Sequence, residues 1–302
     1  MSAVLVENGP DKGAIWHFGE VAKEQRALAE GKAWADLSHR NVIGISGEDR
    51  LSWLHSLTTQ HLEKLAPGEW KEALILDPQG HIEFQFFLVD DGERTFLHMD
   101  IESTPALIAY LEKMKFMLRV SVVDLSSSFA IVKAPGKTDE IGGPYALVPR
   151  SELEATMAAF ASSNLQVGMW ALEAERIASG RARFALDTDH KCIPNEIGAL
   201  HKSVHMNKGC YRGQETVAKV FNLGHPPRRL VLLHLDGSNV DIPNHGDPVF
   251  YEDKEIGFVG SVARHYELGP IALALIKRNI PADAPLLAGA IPATQEILVP
   301  IE

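Results

Sequence analysis

The sequence predicts an α+β chain that closes with a small β-barrel. Helical and strand periods alternate as far as Leu223, and beyond Leu223-Gly224-His225-Pro226-Pro227 only short strand-like runs remain. At 302 residues the chain also exceeds what one hydrophobic core covers, so two or three packed subdomains are expected.

Taken in order, Glu20 to Trp34 carries apolar and charged residues at helical spacing, with Gly31 near its end, and predicts an opening amphipathic helix. Asn41–Ser46 is short and β-branched. Gly47-Glu48-Asp49 punctuates it, and Leu51, Trp53, Leu54 and Leu57 then take a helical period, so strand, turn and helix follow one another. Ala73–Leu76, the turn Asp77-Pro78-Gln79-Gly80 and Ile82–Val89 predict a hairpin, because Pro and Gly stand where a type I or II turn needs them. Asp90-Asp91-Gly92 turns the chain into Thr95–Met99. Thr104-Pro105 opens a helix to about Met114, Pro being tolerated in the first turn, and Val120–Leu125 returns as strand. Ala134–Pro149 is rich in Gly and Pro and reads as a loop or subdomain joint. Ser151-Glu152-Leu153-Glu154 matches a capping box opening a helix to about Ala161. A further helix runs from Gly168 through Ile177 and ends at Gly180. Asp187–Asn207 lacks a period and predicts an irregular segment lining a site. After the boundary, Leu230–Leu235, Pro248–Tyr251, Ile256–Val262 and Ile271–Ile276 read as barrel strands. The expected divisions are 1–133, 134–223 and 224–302.

Composition narrows the function. A hydrophobic content of 45% with 23% charged residues is that of a folded globular chain. The net charge of -11 opposes direct binding to nucleic acid or to an anionic membrane, both of which need clustered cations. No apolar run reaches membrane-spanning length and no leader pattern opens the chain, so a cytoplasmic protein is expected. Two cysteines, Cys192 and Cys210, are too few for a disulfide scaffold, and reduced thiols are expected.

The most informative segment is Lys208-Gly209-Cys210-Tyr211-Arg212-Gly213-Gln214-Glu215, which places a thiol between two glycines among hydrogen-bonding side chains. Gly209 and Gly213 can take positive φ and admit close approach to the backbone. A helix or strand starting at Gln214 would aim backbone N–H groups toward Cys210, and with Lys208 and Arg212 nearby they would favour the thiolate. Cys192, His201, His205 and Cys210 bear zinc-type donors, but their intervals match no finger or ribbon, so no metal is assigned. Two thiolates also fall short of the four ligands of an iron–sulfur cluster. No phosphate-binding glycine motif is present.

Together with the helix Ala171–Gly180 and Ile193-Pro194-Asn195-Glu196, the cysteine segment resembles the YgfZ family of folate-binding proteins, paralogues of the glycine-cleavage T-protein, an aminomethyltransferase. The resemblance extends to Asp36-Leu37-Ser38, to the Gly47–Asp49 turn and to Ile256–Ser261. It implies an α+β cloverleaf of three subdomains around a central folate cavity, the last a β-barrel. The ligand it implies is tetrahydrofolate or a derivative. Glu196 is the residue it places on the pterin, where a carboxylate can accept two parallel N–H bonds. Asn195, Tyr211 and Gln214 join it as candidate folate contacts, Arg228 and Arg229 are candidates for the glutamyl tail, and Cys210 and Lys208 are candidates for chemistry. In the T-proteins the strand matching Gly80–Gln85 continues into paired aspartates; here Phe84 and Gln85 stand in those places and neither ionises. The resemblance thus implies a folate-binding accessory factor for iron–sulfur cluster assembly or repair, with client enzymes that include modifiers of transfer RNA. A one-carbon transferase and a folate-gated interaction module are the alternatives.

Overall fold

A computed structural model describes residues 3–238 and 241–300. The fold is α+β, and the chain divides into two compact units. The first comprises Met1–Leu76, Phe84–Leu172 and His201–Arg212; the second comprises Asp77–Glu83, Glu173–Leu200 and Gly213–Glu302.

In the first unit a five-stranded sheet runs in the order Lys71–Leu76, Ile82–Asp90, Arg94–Met99, Asn41–Ser46 and Ser121–Asp124. Strand alternation explains its two-sided core. Ile43 and Ile45 point to one face, where they pack with Phe86, Leu88 and Leu97 against Trp53 and Leu54 of the helix Arg50–Leu57 and Leu107 and Leu111 of the helix Thr104–Met114. Val42, Val89 and Phe96 point to the other, against Leu37, Ile131 and Met169. Burying each such side chain contributes about 1.5–3 kcal/mol. A second sheet orders Tyr145–Pro149, Phe129–Lys133, Ala33–Asp36 and Leu165–Gln166.

The second unit holds a closed six-stranded barrel in the order Arg228–Leu235, Gly269–Lys277, Lys254–His265, Pro248–Tyr251, Leu286–Ala288 and Ile291–Ile297. Its interior is filled by small and branched residues, among them Val231, Leu233, Val259, Ala272, Ala274 and Ile276. Closure removes the free edges that open sheets expose.

Several boundaries differ from those read in the sequence. The opening helix is Val21–Ala29; Gly31, at φ +75°, ends it, and Ala33–Asp36 is already strand. The alanines and Trp34 continue the helical period by coincidence, and strand pairing decides their state: Ala33 and Trp34 pair with Leu165 and Gln166, and Ala35 and Asp36 with Lys133 and Val132. Ala134–Pro149 is not all loop, since Tyr145–Pro149 pairs in register with Phe129–Lys133. Ser151 forms no capping box: a short 3-10 turn, Arg150–Glu152, precedes the helix Leu153–Ala161, which lacks a side-chain cap. Two barrel strands went unread because Leu286–Ala288 is only three residues long and Ile291–Ile297 carries a proline and polar outward positions.

Candidate functional site

The cysteine segment belongs to the first unit up to Arg212. Cys210 is exposed, whereas Cys192 is buried, and neither forms a disulfide. Burial pushes the Cys192 thiol well above the usual thiol range, with the Glu196 charge adding to the effect. Lys208 is enclosed. Its ammonium donates to the carbonyls of His55 and Thr58 and, at 3.2 Å, to that of Gln60. Those oxygens lie at the C-terminal end of the helix Arg50–Leu57, where carbonyls lack helical donors and the helix dipole is negative. Burial draws the lysine down to about 8. The same strip of chain receives the residues that lead into the segment: Thr59 Oγ1 donates to Ser203 O at 2.6 Å, His205 N–H donates to Thr59 O at 2.9 Å, and Gln60 Nε2 donates to Lys202 O at 2.8 Å. Lys208 is therefore an anchor at the root of the cysteine segment. Its Nζ lies 5.2 Å from the Tyr211 ring centre, and burial raises the Tyr211 phenol to about 12. His205 stands beside His61, and His61 beside His55, with ring centres 5.3 and 4.8 Å apart.

The glycines divide the work. Gly213 takes φ +79° and starts the helix Gln214–Leu223; a Cβ there would meet Asp77 O at 2.6 Å and Gly80 Cα at 2.8 Å. Gly209 is not at positive φ and has open space around it. The helix start is thus held against the Asp77–Gly80 turn, where Asp77 also accepts from the His81 backbone N–H at 2.8 Å.

In the second unit Glu196 lies on the short 3-10 turn Pro194–Ile197 with no exposed surface. Arg228 grips it with two parallel bonds of 2.9 Å, and the Ile193 N–H adds a third at 3.1 Å. The other side of the same guanidinium holds Asp189 at 2.6 and 3.0 Å. Burial disfavours the Arg228 charge, but its bonds to Glu196 and Asp189 outweigh that and raise it above the usual arginine value. Asn195 Nδ2 donates to Val217 O at 3.2 Å, and its buried Oδ1 has no donor among the described residues. Gln214 is half-buried in the first turn of its helix. Arg229, read from the sequence as a tail-binding surface residue, is fully enclosed: it donates to the carbonyls of Arg278 and Ile280 and to Gln295 Oε1, tying one end of the barrel together. Alternation along Arg228–Leu235 turns neighbouring side chains to opposite faces, which is why the two arginines part company.

Three groups escaped the sequence reading. Asp189 completes the Glu196–Arg228 cluster. Glu72 is a buried carboxylate that accepts from Gln85 Nε2 and, at 2.8 Å, from Ser203 Oγ, so an acid does stand beside the non-ionising Gln85. Its signal was an acidic residue at the head of the apolar run Ala73–Leu76. Tyr110 packs against Phe84.

No family model matches the chain. Its structure is similar to the crystal structure of the glycine cleavage system aminomethyltransferase T from Bartonella henselae, at a TM-score of 0.81 over 99% of this chain and 94% of that one, with 17% identity. The fold is that of aminomethyltransferase T. The chain is also 27% identical, over 77% of its own length, to the mitochondrial iron–sulfur cluster assembly factor IBA57 homologue of Mycosarcoma maydis, and the match spans 66% of that protein. It is 24% identical to the aminomethyltransferase of Rippkaea orientalis, over 87% of this chain and 83% of that one. These relatives fit the resemblance to the YgfZ family and its T-protein paralogues.

Proposed function

We propose that the protein is a folate-binding accessory factor for iron–sulfur cluster assembly or repair, acting on client enzymes that include modifiers of transfer RNA, in the cytoplasm. The observation that carries the reading is the joint similarity to a cluster-assembly factor and to aminomethyltransferases, over most of the chain. The candidate pterin residues are Glu196 and Asn195. Asn195 Oδ1 has no donor among the described residues and lies next in sequence to the Glu196 carboxylate, so adjacent residues offer two buried acceptors. The amino and ring N–H groups of a pterin supply the complementary donors. Both acceptors are enclosed, so binding requires movement of the Arg228 side chain or of the Pro194–Ile197 turn. Tyr211 and Gln214 are the remaining candidate contacts, Arg228 is the candidate for the glutamyl tail, and Arg229 is left to the barrel. Cys210, as the exposed thiol, is the candidate for sulfur exchange, transient iron binding or redox sensing, while Lys208 anchors its segment. The three subdomains around one folate cavity belong to the same proposal.

Titration of the purified protein with 5-formyl-tetrahydrofolate tests the ligand, and Cys210→Ser tests the thiol. Saturable binding is expected in both proteins, with the support of iron–sulfur enzymes lost only in the variant. Absence of binding sinks the folate reading. A fully active Cys210→Ser leaves a folate-gated module without thiol chemistry. Consumption of 5,10-methylene-tetrahydrofolate would instead establish a one-carbon transferase, a reading that Phe84 and Gln85 disfavour because neither can exchange a proton at neutral pH.

A further inference from the structure

Tyr110 lies on the helix Thr104–Met114, half-buried against the core of the first unit. Its ring centre is 5.8 Å from that of Phe84, and the Arg212 guanidinium of the cysteine segment stands 6.0 Å from the same ring. One residue thus links the strand position that lacks an acid with the segment that carries the exposed thiol. The hydroxyl itself is buried and has no hydrogen-bond partner among the described residues. A phenol enclosed in this way loses its hydration and regains nothing, whereas phenylalanine would fill the same apolar site without that cost. The hydroxyl therefore weakens the unliganded fold. A ligand that reaches this hydroxyl would supply the missing partner, and Phe84 and Arg212 mark the surroundings in which it would be met.

We propose that the Tyr110 hydroxyl is a ligand-contacting group of the cysteine-segment site and hydrogen-bonds a polar atom of the bound reduced folate. The inference rests on the folate reading above. A phenol in this place binds and orients the ligand through one hydrogen bond.

Tyr110→Phe removes one oxygen and keeps the packing, so the full-length variant is compared with the wild type in two measurements. Thermal unfolding without ligand is expected to show an equal or higher midpoint in the variant. Calorimetric titration with 5-formyl-tetrahydrofolate is expected to show affinity weakened about fivefold to tenfold, the worth of one ordinary hydrogen bond. Equal affinity in the two proteins overturns the inference and leaves folate binding intact. A variant whose unliganded midpoint falls by several degrees also overturns it, since the hydroxyl would then have a partner within the protein. A wild type that binds no folate removes the underlying reading, and this inference with it.

Discussion

His98 shows what burial does to a single titratable side chain. It has no exposed surface, and neither ring nitrogen has a hydrogen-bond partner among the described residues. Trp70 and Tyr145 meet its ring edge-on at 5.4 and 4.7 Å, and Phe87 stacks on it at 5.0 Å. Desolvation, with a smaller push from Arg40, holds its pKa well below the ordinary 6.5, so the folded protein keeps it neutral. The unfolded chain takes up a proton below about pH 6.5, and stability contributed by this residue, complete above that value, is lost as pH falls further. Urea unfolding at pH 7.5 and 5.5 is expected to show wild type losing about 1.4 kcal/mol more than His98→Phe over that interval. Equal losses would mean that the ring is protonated in the fold. Lys208 is the opposite case at the same scale: a buried cation is tolerated because backbone carbonyls meet its donors.

Among the elements, the start of the helix Gln214–Leu223 depends on one glycine. Gly213 combines φ +79° with contacts to Asp77 O and Gly80 Cα that any β-carbon would violate. Gly213→Ala is expected to destabilise the protein by about 2 kcal/mol or more, from left-handed strain plus displacement of the Asp77–Gly80 turn. Gly209→Ala, in open space and outside the left-handed region, is expected to fall within about 0.5 kcal/mol of wild type. Chemical denaturation of the pair tests the contrast. The sequence made both glycines look alike, because composition names the residues able to turn and not the backbone that comes close to them.

On the scale of the molecule, the second unit is pinned at Asp187. Its carboxylate accepts from Arg176 Nη1 at 2.8 Å, from the Arg183 N–H at 2.8 Å and from the Ser261 N–H at 2.7 Å, joining the helix Met169–Ala178, the irregular segment and the barrel. Arg176 also holds Glu173 at 2.7 Å. Removing one partner leaves a buried guanidinium short of its acid, so Asp187→Ala is expected to cost about 3–5 kcal/mol and to lower the thermal midpoint by many degrees. A midpoint shift of a degree or two would show that the network is not holding the unit together. Arg176 and Asp187 were both visible in the sequence, in a helix and a loop, but nothing in their spacing announced a bond across to Ser261.

The sequence alone determined the α+β class, the helix Thr104–Met114, the helix ending at Gly180 and the barrel-like tail. Each depends on local periodicity or on Gly and Pro, and such signals are carried by neighbours in the chain. Only the tertiary structure decided that Cys210 is the open thiol and Cys192 the closed one. It also turned Lys208 into a helix-end anchor, committed Glu196 to Arg228, and left Asn195 Oδ1 and the Tyr110 hydroxyl unpartnered among the described residues. Whether a polar atom is hydrated, paired or stranded depends on which distant segment folds over it, and that information is not local to any stretch of sequence.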